Sequence, residues 1–259
     1  MGELVFIGLG LHDEKGLTLR GLEEARACEA LFAEFYTSAL LGTRLEAIEV
    51  LLGKRVRVLT RAEVEGGEAV LRASREGRTG FLVPGDPMSA TTHVDMRLRA
   101  AKDGIPTRVV HGVSILSAAA GALGLQAYKF GRTTTVPFPA SGFRPTSPLE
   151  VILQNLRAGL HTLVLLDLRE DGTFLDPKDA LHALLDAASI TGTKEFGDGT
   201  LVCVLSRVGS REVRLQAART RDLLGRDLGP PLHCLVVPGP LHFLEKEALV
   251  AFAGAPQDV

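Results

Sequence analysis

Residues 80–93 read GFLVPGDPMSATTH. A short apolar run stops at Pro84-Gly85-Asp86-Pro87, and Ser89, Thr91 and Thr92 then lead into a segment with helical spacing. Two prolines around Gly-Asp restrict φ on both sides and stiffen the turn. Asp86 and its neighbouring backbone are thereby placed for a polar ligand without ordering entropy being lost on binding. The plainer reading of the same residues is a turn followed by a helix cap. Both readings make this a strand, a loop and a helix in succession.

The same succession repeats outward from this stretch. Short runs of Val, Ile, Leu and Phe predict strands at Leu4–Leu9, Ala30–Tyr36, Arg55–Leu59, Gly80–Val83 and Thr107–Val110. Apolar residues three and four apart predict helices between them: Thr18–Glu29 with Thr18 as its cap, a helix carrying Leu45, Ile48, Leu51 and Leu52 that ends at Gly53, then Glu63–Glu76 and His93–Lys102. Further on, strands His161–Leu168, Thr200–Arg207 and His233–Val237 alternate with helices Pro148–Ala158, Pro177–Ala188 and Leu244–Ala253. Such alternation predicts an α/β protein with mostly parallel sheets. After VVHGVS the pattern changes to the small-residue run ILSAAAGALGL and the Thr- and Pro-rich TTTVPFPASGFRPTSP. A domain boundary is therefore expected just before Gly112, giving α/β domains 1–111 and 112–259.

Composition narrows the function. The 259 residues suit one large or two compact domains, and 46% hydrophobic residues supply a core. Lys plus Arg number 29 against 31 Asp plus Glu, a net charge of −2, so the basic excess of a bulk nucleic-acid or anionic-membrane binder is missing. The chain has no Trp and only two Tyr, which would supply a base-stacking surface poorly. MGELVFIGLGL lacks the basic start and cleavage site of a signal peptide and reads as a strand, and no apolar stretch approaches the ~20 residues of a membrane helix. Cys28, Cys203 and Cys234 are too scattered for a disulfide framework and fit a reducing compartment, the cytoplasm.

Three strand ends offer chemistry. IGLGLHDEKG places Gly8 and Gly10 where a ligand could approach backbone, but Asp13 stands where a dinucleotide fingerprint has its third glycine. The GDP loop is the second. In VVHGVSILSAAAG, Ser114 offers a hydroxyl and an N–H to a ligand, or simply caps a helix. His233, just before the last strand, reads more readily as structural than functional. Asp167 and Asp176 are assigned to strand and loop ends. There is no P-loop, no H-E-x-x-H, no zinc-spaced Cys/His cluster and no G-x-S-x-G.

Taken in order, FIGLGLHDEKGLTLRGLEEA, FAEFYTS, VPGDPMSATTH, HGVSILSA, YKFGRTTTV, GLHTLVLLDL and VVPGPLH carry a resemblance over nearly the whole chain. The sequence resembles the diphthine synthases, the diphthamide-pathway methyltransferases within the tetrapyrrole-methylase-like group. The resemblance implies two α/β domains, S-adenosyl-L-methionine in the cleft between them, S-adenosyl-L-homocysteine as product, and a homodimer. It implies donor contacts at Leu11, at Asp86 and Ser89, at Ser114 and Ile115, and at Leu166, Val208 and His233 from the second domain. The contact at Val208 could equally fall on Arg207 or Gly209, because SRVGSREVRLQ has little to anchor it. Met88-Ser89 replaces the aliphatic residue that family members often carry after GDP, a slightly more polar wall. The implied protein substrate is elongation factor 2 bearing an aminocarboxypropyl histidine, whose amino nitrogen is methylated repeatedly. No nucleic acid, membrane or metal is implied, and no catalytic base is identified. Two alternatives remain: a methylase of a tetrapyrrole ring carbon, and a non-catalytic nucleoside-binding module that docks on the translation factor.

Overall fold

The computed structural model describes residues 2–139, 144–169 and 171–259. Residues 140–143, inside the Thr- and Pro-rich segment, lie outside that description. The chain divides into two compact units, Met1–Ile115 with Glu170–Gly172, and Leu116–Arg169 with Thr173–Val259.

The first unit runs β1 (Glu3–Gly8), α1 (Leu19–Ala27), β2 (Ala30–Ala33), α2 (Leu45–Leu52), β3 (Arg57–Val58), α3 (Arg61–Gly66), α4 (Glu68–Glu76), β4 (Arg78–Val83), α5 (Val94–Lys102) and β5 (Thr107–Val110). Its strands form one parallel sheet in the order β3-β2-β4-β1-β5. Both faces are covered, which explains why β1 reads as a continuous apolar run. Val5, Ile7 and Leu9 pack with Ala25 of α1 and Ile48 and Leu52 of α2, whereas Leu4 and Phe6 pack with Val70, Leu71, Met96 and Ala100 of α4 and α5. Each such fully buried Leu, Ile or Phe contributes about 1.5–3 kcal/mol by leaving water. Phe6 and Phe81 also meet edge to face at 6.0 Å.

Strand order matters for function here. From β1 the chain moves to β2 on one side, while from β4 it crosses over β1 to β5 on the other. The adjacent strands β1 and β4 thus mark a topological switch point, and the crevice at their carboxyl ends is where open α/β sheets take ligands.

Several elements end earlier than expected, for identifiable reasons. β2 stops at Ala33 because the Glu34 carboxylate turns back to accept the N–H groups of Tyr36 and Thr37, both at 3.0 Å. Only Arg57–Val58 of the expected Arg55–Leu59 strand pairs, at the sheet's edge. The expected helix Glu63–Glu76 is two helices, since Gly67 takes a left-handed φ of 69° and closes α3 with its N–H to Glu63. Thr18 does cap α1, accepting the Gly21 N–H at 2.9 Å.

The second unit continues with α6 (Ile115–Leu123, whose first residue belongs to the first unit), β6 (Thr134–Val136), α7 (Ser147–Arg157), β7 (Thr162–Leu166), α8 (Pro177–Thr191), β8 (Leu201–Ser206), β9 (Arg214–Arg219), α9 (Thr220–Leu224), β10 (His233–Val237) and α10 (Phe243–Ala253). The sheet order is β6-β7-β10-β8-β9. Mostly parallel pairing, expected for this half too, does not hold: β6–β7 is parallel, but β10 runs antiparallel to both β7 and β8, and β8–β9 is antiparallel. For β8–β9 the cause is connection length, because residues 207–213 suffice for a direct reversal while a parallel return needs a crossover of about a dozen residues or more. Val164, Val204 and Leu235 pack with Leu149 and Ile152 of α7 and with Leu181 and Leu184 of α8. Asp176 caps α8 through the Lys178 N–H at 2.8 Å, as a loop-end carboxylate.

Candidate functional site

The carboxyl end of the first sheet is assembled from backbone. Gly10 and Gly85 exchange hydrogen bonds, Gly10 N–H to Gly85 O at 3.2 Å and Gly85 N–H to Gly10 O at 2.7 Å, which locks the β1 loop to the GDP loop. Gly8, Gly85 and Gly112 then meet so closely that a Cβ on Gly8 would lie 2.5 Å from the Gly112 nitrogen and 2.6 Å from the Gly85 oxygen. Gly85 itself has φ +73°, and the space a Cβ would take there is open, bounded by the Val113 carbonyl at 4.0 Å. A cradle of backbone therefore lies where the three loops converge.

Asp86 organises this cradle. Its Oδ1 accepts the Met88 N–H at 2.9 Å and the Ser89 hydroxyl at 3.2 Å, and its Oδ2 lies 2.7 Å from His111 Nδ1 at the end of β5. The carboxylate is buried while the His111 side chain is 75% exposed. Beneath the loop lies a second pair. His93, fully buried, donates Nδ1–H to the Pro87 carbonyl at 3.1 Å, and its Nε2 faces the equally buried Glu34 carboxylate at 3.8 Å. Burial lowers the His93 pKa from its usual value, against the opposing pull of Glu34 and the Pro87 carbonyl. His93 thus props the GDP loop from inside the core.

The residues expected from sequence sort onto two sheet ends. Leu11, Asp86, Ser89, Ser114 and Ile115 all follow the carboxyl ends of β1, β4 and β5 within the first unit. Leu166, Val208 and His233 gather at one end of the second sheet. Leu166 closes β7, Val208 follows β8 by two residues, and His233 opens β10 opposite Ser206. His233 Nε2–H donates to the Gly229 carbonyl at 3.0 Å, and burial lowers its pKa against that bond. Its neighbour Arg207 donates to Pro231 O at 3.1 Å in the segment before β10 and pairs with Glu212 at 2.7 Å, so the guanidinium of one alternative to Val208 is held by protein partners. Asp167 accepts the N–H groups of Phe138 and Leu168.

Two groups carried no weight in the linear reading: His111, although it sits in the quoted HGVSILSA, and the Glu34–His93 pair. Their partners are 25 and 59 positions away, so spacing gives no signal. The three cysteines are buried. Burial pushes the thiols of Cys28 and Cys234 up to about 11 and about 12, and that of Cys203 up as well. Among the described residues no group of three or more His, Cys, Asp or Glu could hold a metal ion, and no helix is long and apolar enough to cross a membrane.

Comparison with known proteins agrees with this architecture. The chain matches the Tetrapyrrole (Corrin/Porphyrin) Methylases over residues 3–223. It is 46% identical over 261 aligned positions to diphthine synthase of Methanosarcina mazei, covering 99% of this chain and 98% of the relative. It is 44% identical to diphthine synthase of Methanothermobacter thermautotrophicus, covering 99% and 97%. A crystal structure of diphthine synthase superposes with a TM-score of 0.90 at 36% identity, covering 98% of this chain and 97% of that one. A two-sheet α/β architecture and this continuous similarity place the chain in the tetrapyrrole methylase family, as a methyltransferase belonging to the diphthine synthases.

Proposed function

We propose that this chain uses S-adenosyl-L-methionine to methylate, repeatedly, the amino nitrogen of the aminocarboxypropyl-modified histidine of elongation factor 2, releasing S-adenosyl-L-homocysteine. The observation that carries the reading is the similarity to diphthine synthases along almost the entire chain, 99% of this chain and 98% of the relative. The donor supplies an activated sulfonium methyl. The described residues fit it: an open cradle beside Gly85, backbone N–H and C=O groups on three loops, the hydroxyls of Ser89 and Ser114, and a carboxylate rather than an amine at the centre. A cationic sulfonium suits an anionic, glycine-lined strand end.

As donor contacts we assign Leu11, Asp86 with its loop, Ser89, Ser114 and Ile115 in the first unit, and Leu166, Val208 and His233 in the second. The task of these residues is alignment. An in-line transfer needs a neutral amine about 3–3.5 Å from the methyl with water kept away, and a rigid loop held by Asp86 and His93 loses little entropy in providing that. The proposed setting is a cytoplasmic homodimer, supported by three buried reduced thiols and by an α10 surface that exposes Phe243, Leu244 and Phe252.

The test is the intact mass of elongation factor 2 carrying the aminocarboxypropyl histidine, before and after incubation with this protein and S-adenosyl-L-methionine. Methyl-sized increments mapping to that histidine are expected, and their number reads out the product. No increment on a substrate verified with an active diphthine synthase would overturn the assignment and redirect the search to tetrapyrrole acceptors.

A further inference from the structure

We propose that His111 is the proton acceptor for the methylated amine, oriented for that role by Asp86. The inference rests on the amine-methylation reading above and names the residue that reading leaves open. A carboxylate only accepts hydrogen bonds, so the 2.7 Å contact to Asp86 Oδ2 puts the proton of neutral His111 on Nδ1. Nε2 is then the lone-pair nitrogen, and among the described residues it has no hydrogen-bond partner. This is the base-plus-orienter arrangement of general-base catalysis, with Asp86 held in turn by the Met88 N–H and the Ser89 hydroxyl.

The neighbouring titratable groups do not offer the same arrangement. Asp86 has both oxygens engaged and is buried. His93 is buried, with Nδ1 on the Pro87 carbonyl and Nε2 toward Glu34. His12 follows β1, but its ring lies against Gly42 and no hydrogen bond among the described residues fixes its tautomer. Among the described residues Asp86 is the charged group paired with His111.

The chemistry needs a proton acceptor. An ammonium has no lone pair, so the charged amine must lose a proton before its nitrogen can attack. In the step assigned here, His111 Nε2 takes a proton from the substrate ammonium. The freed nitrogen pair then forms the N–C bond as the C–S bond breaks, and the sulfur keeps the bonding pair. A first or a second transfer leaves an ammonium that still carries a proton, which must go before the next transfer, so the acceptor must be emptied in between; a third would leave a quaternary nitrogen with no proton to lose. A side chain 75% exposed returns its proton directly to water.

His111→Asn tests this, because the amide NH2 can keep the bond to Asp86 while the proton acceptor is gone. Single-turnover rates on modified elongation factor 2 are expected to fall on the order of 10²–10⁴-fold at pH 7, with S-adenosyl-L-homocysteine affinity within threefold of the parent. The deficit should shrink as pH rises toward 10 and the amine loses its proton unaided. A rate within threefold of the parent at pH 7, or a deficit of equal size at every pH, would overturn the role of His111. So would a matching loss of donor affinity. His111→Gln is read the same way if the Asn variant does not fold. The two proposals fail differently: a parent protein with no activity on modified elongation factor 2 ends the substrate reading, whereas an active parent with an equally active variant ends only this one.

Discussion

The carbonyl oxygen of Gly85 lies against the α-carbon of Gly112, so that a side chain on Gly112 would overlap it and the Gly8 backbone together. Three strand ends are thus pinned by contacts between main-chain atoms, which cannot swing aside as a flexible side chain can. Gly112→Ala is expected to destabilise the protein by about 1–3 kcal/mol and to weaken S-adenosyl-L-homocysteine binding more than a surface Gly→Ala change does. Urea melts and titration calorimetry on Gly112→Ala and Gly159→Ala would compare the two. Gly159 has open space where a Cβ would stand, although its φ of +75° adds modest strain of its own.

Asp86→Ala removes the acceptor for Met88, Ser89 and His111 at once. Donor-product affinity should fall by about 1–3 kcal/mol, since a stiff loop loses the bonds that set its shape. Calorimetry on a variant shown by circular dichroism to be folded would check it. Unchanged affinity would mean that the prolines, the Gly10–Gly85 bonds and His93 hold the loop without Asp86.

Glu245 anchors the second unit. His161 donates to it at 2.9 Å and the Gln126 N–H at 2.9 Å on Oε1, while Lys129 at 2.5 Å and the His242 N–H at 2.8 Å reach Oε2. Burial on its own pushes this carboxyl up, but the hydrogen bonds of Lys129, Gln126, His242 and His161 outweigh it and hold the pKa at about 2. A depressed carboxylate pKa stabilises the fold above its unfolded value near 4.5 and that stability is lost as pH falls toward 2. Glu245→Gln should cost about 3 kcal/mol at pH 7 by leaving Lys129 without its counter-charge, and markedly less at pH 3. Urea midpoints at the two pH values give the comparison.

Three histidines titrate in the same sense. Burial lowers the pKa of His93, His161 and His233 against their hydrogen-bond or charge partners. The unfolded chain therefore takes up protons first, and stability is present above about pH 6.5 and falls as pH drops below it. Thermal melts should show a declining midpoint from pH 7 to pH 5. His233→Asn, which removes one titrating ring, should flatten that decline.

What the sequence showed follows from what is local. Runs such as Leu4–Ile7 and the GDP loop carry their structure in adjacent residues, and the loops that meet at the carboxyl end of the first sheet were legible from glycines and prolines alone. β9 was not, because RLQAAR is half polar and pairs only by virtue of lying beside β8. The direction of β10 was equally hidden, since an apolar strand looks the same whichever way its neighbours run. His111 and Asp86 are ordinary residues in the linear text, and only the pairing of β4 and β5 around β1 brings them together.

The position of β10 has a consequence for how the chain is made. The last strand in chain order lies at the centre of its sheet, between β7 and β8. As the polypeptide emerges from synthesis, β7 and β8 have no strand to join them until His233–Val237 follows, and their inner edges stay unpaired meanwhile. Long-range pairing of this kind is slow and leaves edges open to wrong partners. The second sheet therefore cannot close until the chain has been made as far as Val237, whereas the strands of the first unit are all present by Val110.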